Sequence, residues 1–303
     1  MRNKTIIKKL AIYVVMVLLF FLEGSALVAL AQESQSPGNQ PGKAEQEEAE
    51  KDTPLFKSVW QDQGKILSSP FRMKGKDFAL WGGIALVTGL LIATDEDSYK
   101  EIKKFQARNK WVDDISPKVT QLGLGTWNLG IAGAFYLGGV LLKDKKAKET
   151  ARLTVMTFIH TGVVVQLGKH LFGRQRPSQD NGIDHWSGPA GFFKRYKPYQ
   201  LANYDAFPAG HVISIFGTAT VISQMYKDKL WVPVLSYSVA ALCGMSRITE
   251  DTHWLSDVFL GAVLGIVIGK YVVKKRNRLG KRQFSFYPTA NSRRIGLGFQ
   301  YTF

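Results

Sequence analysis

From residue 54 onward the chain alternates uncharged apolar runs with short charged connections, and this alternation constrains its fold more than any other feature. The runs lack the period-two alternation of a half-buried strand, so we predict that they form helices. No repeat of solenoid length interrupts the series. The sequence therefore predicts an all-α fold, a bundle of six helices formed by residues 78–94, 119–142, 153–168, 212–226, 230–245 and 258–268.

These runs leave the relation of the chain to a membrane open. A membrane-spanning helix needs about 20 apolar residues, whereas most of these runs have 11 to 17, and the mean hydropathy is −0.07. The connections 143–152, 226–229 and 274–282 are all basic, however, and in a six-helix bundle they lie on one side, as the positive-inside rule expects. We therefore expect membrane association, through a partly inserted or peripheral bundle. An integral protein and a soluble periplasmic protein are the alternatives.

The N-terminal part indicates export. Residues 1–31 combine a basic start, an apolar core and a small-x-small site before Gln32, the features of a signal peptide. An uncleaved membrane anchor is the alternative. Residues 32–53 are rich in Glu, Gln, Ser, Pro and Gly, which predicts a disordered linker. We expect a protein at the periplasmic face of the cell envelope. Two of these expectations conflict. A cleaved signal peptide leaves Gln32 outside the membrane, whereas six full spans with their basic connections inside require the first span to start inside.

The rest of the chain divides at residue 282. Residues 54–282 contain the predicted helices and form the predicted domain. Residues 283–303 contain two alternating segments joined by the turn-rich sequence "PTANSRR", which predicts a β-hairpin. Two strands cannot close a barrel, so we expect a short terminal hairpin packed on the domain.

The net charge limits the classes of partner. A formal charge of +16 indicates a polyanionic partner. Nucleic acid is disfavoured because the basic residues lie between long apolar segments rather than on one polar domain. Anionic lipid headgroups and phosphate esters remain. The single cysteine, Cys243, lies in an apolar run, so we predict a small buried core residue.

Three polar clusters interrupt the apolar runs on the face opposite the basic connections. The first, "KHLFGRQRP", places Lys169 and Arg176 two helical turns apart. The second, "PAGH", places Gly210 and His211 at a helix start, where backbone N–H groups favour an anion. Taken alone, each has a structural explanation, as a basic helix end facing its own carbonyl dipole or as a capping histidine.

The third cluster, "SRITEDTHWLSD", places His253 and Asp257 four residues apart, on one helical face. A carboxylate in that position can fix the orientation and tautomer of the imidazole, which makes the histidine a competent nucleophile toward phosphorus. Arg247 precedes this pair and can bind phosphate oxygens bidentately. Glu250 and Asp251 lie between them, and we expect both to face solvent. The alternative is that they lie near the bound phosphate and disfavour highly anionic substrates.

The three clusters together suit phosphoryl transfer, which depends mainly on positioning and charge stabilisation. Fixed cations, a helix N-terminus and two histidines supply both without a metal ion. The sequence shows no carboxylate cluster with the spacing of a Mg²⁺ or Zn²⁺ site. We therefore expect neither a metal nor a cofactor.

In order and internal spacing the clusters resemble the three-part signature of the type 2 phosphatidic acid phosphatase (PAP2) family. Its superfamily also contains bacterial class A acid phosphatases and vanadium haloperoxidases. The family pattern is Lys-x6-Arg-Pro, then Pro-Ser-Gly-His, then Ser-Arg-x5-His-x3-Asp. The resemblance covers roughly residues 78–273. It implies a helical bundle of this type and a phosphatase activity.

The resemblance also implies a role for each matching residue. His253 is then the nucleophile that forms a phosphohistidine, Asp257 orients it, and His211 is the general acid for the leaving group. Phosphate binding falls to Lys169, Arg176, Arg247 and the backbone N–H of Gly210. Ala209 stands where the family usually has a serine that donates to a phosphate oxygen. The loss of that donor costs about 1–3 kcal/mol, which lowers the expected efficiency but leaves nucleophile and acid in place.

The predicted function is a metal-independent phosphatase, a phosphoric monoester or acid anhydride hydrolase, that acts on a lipid phosphate or pyrophosphate. Phosphatidic acid, phosphatidylglycerol phosphate, undecaprenyl pyrophosphate and lipid A phosphates are the candidate substrates. One alternative is a secreted acid phosphatase for soluble phosphomonoesters. Another is a non-catalytic envelope protein that binds anionic lipid, with Ala209 as the mark of a lost activity.

Overall fold

The computed structural model describes residues 55–179, 185–189, 204–279, 283–291 and 294–302. The predicted signal peptide and linker therefore lie outside the described residues. The chain divides into two compact units. One comprises Met1–Thr53 and Ser69–Gly83, of which the second segment is described, as a 3₁₀ turn followed by the start of a helix. The other comprises Pro54–Ser68 and Ile84–Phe303 and contains all three polar clusters.

Within the described residues up to 279, helices form nearly all of the regular structure, which confirms the predicted all-α class there. They are α1 (Leu55–Leu67), α2 (Gly75–Arg108), α3 (Trp111–Thr120), α4 (Gly125–Leu141), α5 (Lys145–Phe172), α6 (Gly210–Met225), α7 (Trp231–Thr249) and α8 (Leu255–Leu279). Five of the six predicted runs fall, to within one residue, inside the single helices α2, α5, α6, α7 and α8.

The sixth predicted run, residues 119–142, does not form one helix. A 3₁₀ turn at Gln121–Gly123 separates α3 from α4, and the two helical parts meet at an angle of 64°. The turn packs against the start of α6, because a Cβ added to Gly123 would lie 2.6 Å from the Cβ of His211. The prediction of one helix is wrong here, since an uncharged run does not reveal a bend that a neighbouring helix imposes.

Helices α4 to α8 alternate in direction, across short connections before α5, α7 and α8 and across the long segment of residues 173–209 before α6. The last turns of α5 and α7 and the first turns of α6 and α8 therefore lie together, at what we call the motif end. The opposite end, the basic end, contains the connections before α5 and between α6 and α7. There Lys146 pairs with Asp228 at 3.3 Å, and Arg276 with Glu149 at 3.4 Å. The basic connections thus lie opposite the polar clusters, as predicted.

Helix α6 occupies the centre of this unit. Twelve of its 16 residues are buried, against α5, α7 and α8, which suits a helix that is apolar on all sides. Its backbone comes very close to α8, because a Cβ added to Gly265 would lie 2.5 Å from the carbonyl oxygen of Ile213. The free cysteine, Cys243 of α7, is buried as predicted.

Among the described residues, three helices could cross a membrane by length and composition: α2, α7 and residues Leu255–Arg276 of α8. The bent pair of α3 and α4 would add a fourth if it counts as one span. Leucines 86 and 90 on α2 are 65% and 60% exposed, as lipid-facing residues would be. These helices are compatible with a membrane protein.

At the C-terminus, strand β1 (Gln283–Asn291) pairs antiparallel with β2 (Arg294–Thr302), and Gln283 lies opposite Thr302. How this pair packs, and with it the hairpin as the end of the domain, stays a prediction.

Close packing between α6 and α8 generates a stability prediction. We expect Gly265→Ala to lower the free energy of unfolding by about 1–3 kcal/mol, because backbone atoms of α6 cannot move aside cheaply. Gly133→Ala on α4 is the matched control, since a Cβ there meets nothing within 4 Å. The better helix propensity of alanine should leave the free energy of unfolding of this control unchanged or raise it by up to about 1 kcal/mol. Thermal unfolding of the detergent-purified protein measures both, and equal midpoints would contradict the packing argument.

Candidate active site

The structure brings the predicted site residues together at the motif end. Four helix ends and the segments beside them supply Lys169, Arg176, Gly210, His211, Arg247, His253 and Asp257. The charges of Lys169, Arg176 and Arg247 all lie near enough to His253 to lower the pKa of its imidazole. The ammonium of Lys169 also lies 3.8 Å from a Cβ added to Gly210. The three clusters therefore form one site.

His253 is buried in the loop between α7 and α8, with 1% of its surface exposed. Its Nδ1 lies 2.6 Å from the carbonyl oxygen of Ala206. A carbonyl only accepts hydrogen bonds, so Nδ1 carries the proton and Nε2 keeps its lone pair. Burial, followed by the nearby cations, holds the pKa of His253 well below its usual value. The imidazole is thus neutral, with a fixed tautomer.

Asp257 lies beside His253, but it does not hydrogen-bond to it in this structure. Its Oδ2 is 3.8 Å from Nδ1 of His253, which is too long for a hydrogen bond. Oδ2 accepts instead from the backbone N–H of Trp254 at 2.7 Å. The contact that fixes the imidazole comes from Ala206, a residue that the sequence did not single out. Asp257 as the orienting residue stays a prediction.

Lys169 and Arg176 both bind the carboxylate of Asp205. Lys169 Nζ donates to Oδ2 at 3.0 Å, and Arg176 Nε donates to Oδ1 at 2.7 Å. Burial raises the pKa of Asp205, but the two adjacent cations outweigh it and hold the pKa below its usual value. Asp205 is therefore ionised. It belongs to the segment before "PAGH" and carried no signal of its own in the sequence.

Arg247 binds two side chains: its Nη1 donates to Thr120 Oγ1 at 2.5 Å and to Glu250 Oε2 at 2.9 Å. Asp251 accepts from the hydroxyl of Tyr99 on α2 at 2.8 Å. The expectation that Glu250 and Asp251 face solvent is wrong. Both carboxylates have partners, and those of Asp251 come from a helix far away in sequence.

His211 lies in the first turn of α6, half-buried against the 3₁₀ turn before α4. Burial, followed by the charges of Arg247, His253, Lys169 and Arg176, lowers its pKa to about 3. The imidazole is therefore neutral. An anion bound there would offset the surrounding positive charge, which would raise this pKa and favour protonation.

Ala209 caps the N-terminus of α6 and is fully buried. Its backbone N–H donates to the carbonyl oxygen of Asp257 at 3.2 Å, which ties the start of α6 to the start of α8. Its methyl group faces α8, where a Cβ added to Gly261 would lie 3.5 Å away. The position where a serine was expected is thus tightly enclosed.

Arg174 is the main residue that the sequence analysis missed. Its guanidinium is fully buried. Nη2 donates to Asp95 Oδ2 at 2.8 Å, and Nη1 donates to Asp257 Oδ1 at 2.6 Å and to Ser256 Oγ at 2.7 Å. Ser256 also donates to Asp95. Arg174 lies inside the first cluster, but Asp95 is 79 residues away on α2, and nothing local marks the pair.

The arrangement offers a neutral imidazole with an available lone pair, three cations and a helix N-terminus around one point. Among the described residues, no three His, Cys, Asp or Glu side chains are grouped to hold a metal ion. The geometry therefore suits nucleophilic attack on a phosphate held by cations.

Comparisons with known proteins agree with this class of site. Residues 150–281 match the PAP2 superfamily. The matching segment contains all three clusters, so this chain is similar to the superfamily where the predicted site lies.

Two similar proteins come from Porphyromonas gingivalis. A lipid A 1-phosphatase is 34% identical over 191 residues, which cover 61% of this chain and 36% of that protein. A lipid A 4'-phosphatase is 28% identical over 154 residues, covering 49% and 60%. The chain thus spans between about a third and three fifths of these relatives. A crystal structure of Aquifex aeolicus LpxE matches with 25% identity and a TM-score of 0.44, covering 59% of this chain and 93% of that one.

The buried guanidinium generates a second prediction. Arg174→Met leaves Asp95 and Asp257 buried without their cation, so we expect a loss of about 3–5 kcal/mol in the free energy of unfolding. Arg152→Met is the control, because its ion pair with Glu149 is partly exposed and contributes about 1 kcal/mol or less. Unfolding midpoints and the yield of folded protein measure both. Similar losses in the two variants would contradict a special role for Arg174.

Proposed function

We propose that this protein is a metal-independent phosphatase that hydrolyses a lipid phosphate or pyrophosphate through a phosphohistidine on His253. The observation that carries the proposal is the hydrogen bond from Nδ1 of His253 to the carbonyl of Ala206. It leaves the lone pair of Nε2 available beside three cations, which is the arrangement that in-line attack on phosphorus needs.

In the proposed reaction, Nε2 of His253 attacks phosphorus, and a P–N bond forms as the P–O bond to the lipid breaks. His211, protonated once the phosphate anion is bound, gives its proton to the departing oxygen. Water then attacks the phosphohistidine, the P–N bond breaks, and His211 takes the proton of the water. Inorganic phosphate leaves, and both histidines return to their starting states.

The cations would stabilise the charge that develops on the phosphate oxygens during both steps. Lys169, Arg176 and Arg247 are held by neighbouring carboxylates or hydroxyls, so they need little reorganisation when substrate binds. The backbone N–H of Gly210 lies at the N-terminus of α6, where free N–H groups and the helix dipole would attract the anion. No step requires a metal ion.

A lipid substrate is supported by the three long apolar helices and by the relatives, which are named for lipid A phosphates. Among the candidate lipids we favour a lipid A phosphate for that reason. A soluble phosphomonoester is the second candidate, and the low mean hydropathy of −0.07 favours it.

The proposal is tested by phosphate release in EDTA from a panel containing lipid A, phosphatidic acid, phosphatidylglycerol phosphate, undecaprenyl pyrophosphate and p-nitrophenyl phosphate. We expect wild type to release phosphate from a lipid in preference to the soluble ester. His253→Ala should reduce kcat by at least about 1,000-fold, since it removes the nucleophile.

His170→Ala is the matched control for that variant. His170 lies one residue after Lys169, and its Nδ1 contacts the carbonyl of Gln166 on its own helix. Its removal should leave most of the activity. Full activity in His253→Ala would contradict the phosphohistidine mechanism, and activity on the soluble ester alone would favour the second candidate.

We further propose that the motif end faces the periplasm and the basic end the cytoplasm, since positively charged connections are retained inside. Asp62 of α1 binds Lys275 at 2.6 Å near the basic end, so this orientation places α1 inside. A cleaved signal peptide would place residue 32 outside instead. Because residues 32–54 are polar and contain no run long enough to cross a membrane, a cleaved signal peptide and this orientation cannot both hold.

Labelling of introduced cysteines separates these possibilities, because the native Cys243 is buried and should react little. Lys118→Cys on α3 reports on the motif end, and Lys229→Cys reports on the basic end. We expect a membrane-impermeant maleimide to label Lys118→Cys in intact spheroplasts and Lys229→Cys only after lysis. Lys65→Cys reports on α1 and should follow Lys229→Cys. The reverse pattern would contradict the proposed orientation.

A further inference from the structure

The cations of the site are balanced by carboxylates of the chain itself. Asp205 binds both Lys169 and Arg176, and Glu250 binds Arg247 at 2.9 Å. Three positive charges therefore face two negative ones, because the histidines of the site are neutral. The phosphate-binding group thus carries a net charge near +1 rather than +3.

Asp205 is held firmly in this position. Its side chain is 10% exposed. The next residue, Ala206, donates its backbone N–H to the carbonyl of Arg174 at 3.0 Å and accepts from Nδ1 of His253 at 2.6 Å. The segment that carries Asp205 is therefore the same segment that orients the nucleophile, and its backbone is fixed by these contacts.

A bound phosphate must share these cations with Asp205. If the carboxylate stays, it lies close to the phosphate, and the repulsion doubles when the phosphate carries two charges instead of one. If the carboxylate moves, two charge-assisted hydrogen bonds are lost. In both cases Asp205 weakens the binding of a doubly charged group more than that of a singly charged group.

We propose that Asp205 is a specificity-determining counter-anion, which makes the site select a phosphate group of charge −1 over one of charge −2. Glu250 acts in the same sense on Arg247. This inference rests on the proposed function, since it assumes that the cations bind the phosphate of the substrate.

The test uses two tetrahedral anions at one neutral pH, sulfate with charge −2 and methanesulfonate with charge −1. The full-length protein is purified in detergent, and the shift of its unfolding midpoint with anion concentration gives each dissociation constant without turnover. Asp205→Asn keeps the shape of the side chain and one acceptor oxygen but removes the charge. We expect it to tighten sulfate binding about tenfold and methanesulfonate binding about threefold or less.

Asp228→Asn is the charge-matched control. Asp228 pairs with Lys146 at the basic end, so its removal should change neither dissociation constant. Glu250→Gln is the second variant and should also tighten sulfate binding more than methanesulfonate binding. It therefore tests the proposal if Asp205→Asn does not fold. A purely structural role would weaken both anions in parallel, and an unchanged ratio between them would overturn the proposal.

The outcome is distinguishable from a failure of the proposed function. Wild type that binds sulfate competitively with orthovanadate but releases no phosphate from any member of the lipid panel would reject the phosphatase and leave the charge selection standing. Wild type that hydrolyses a lipid phosphate, with no change of the sulfate to methanesulfonate ratio in Asp205→Asn and Glu250→Gln, would reject the charge selection alone.

Discussion

The buried guanidinium of Arg174 is the interaction on which the rest of the site depends. A charge without access to water is tolerated only when it is paired and hydrogen-bonded. Asp95 of α2 and Asp257 of α8 supply the pairs, so the guanidinium fixes these helices relative to the segment that follows α5. Asp257 also binds the backbone of Trp254. The loop that carries His253 is thereby held by the same ion pair.

Around this fixed centre, carboxylates of the chain offset the repulsion between the cations of the site. Lys169 and Arg176 would repel each other without Asp205 between them, and Arg247 is held by Glu250. In the proposed reaction, the same carboxylates would weaken the binding of the doubly charged product, inorganic phosphate. One set of contacts would thus preorganise the cations and favour release of the product.

Much of this architecture is predictable from local patterns, and the failures have a common cause. The uncharged runs predict the helices because burial of a long apolar segment allows few other solutions. The prediction of one helix over residues 119–142 is wrong because the bend lies where Gly123 packs against His211, which is far away in the sequence. The expectation that Glu250 and Asp251 face solvent is wrong for the same reason, since a charged residue beside a polar motif gives no local sign of its partner.

The sequence by itself determined the helical class, the six apolar segments and the residue types of the site, because spacing along a helix fixes which side chains share a turn. Only the tertiary structure decided their partners. It chose Ala206 rather than Asp257 as the hydrogen-bond acceptor for His253, and Asp205 as the anion shared by Lys169 and Arg176. These contacts join segments that meet only when α5, α6 and α8 pack together, so no local pattern encodes them.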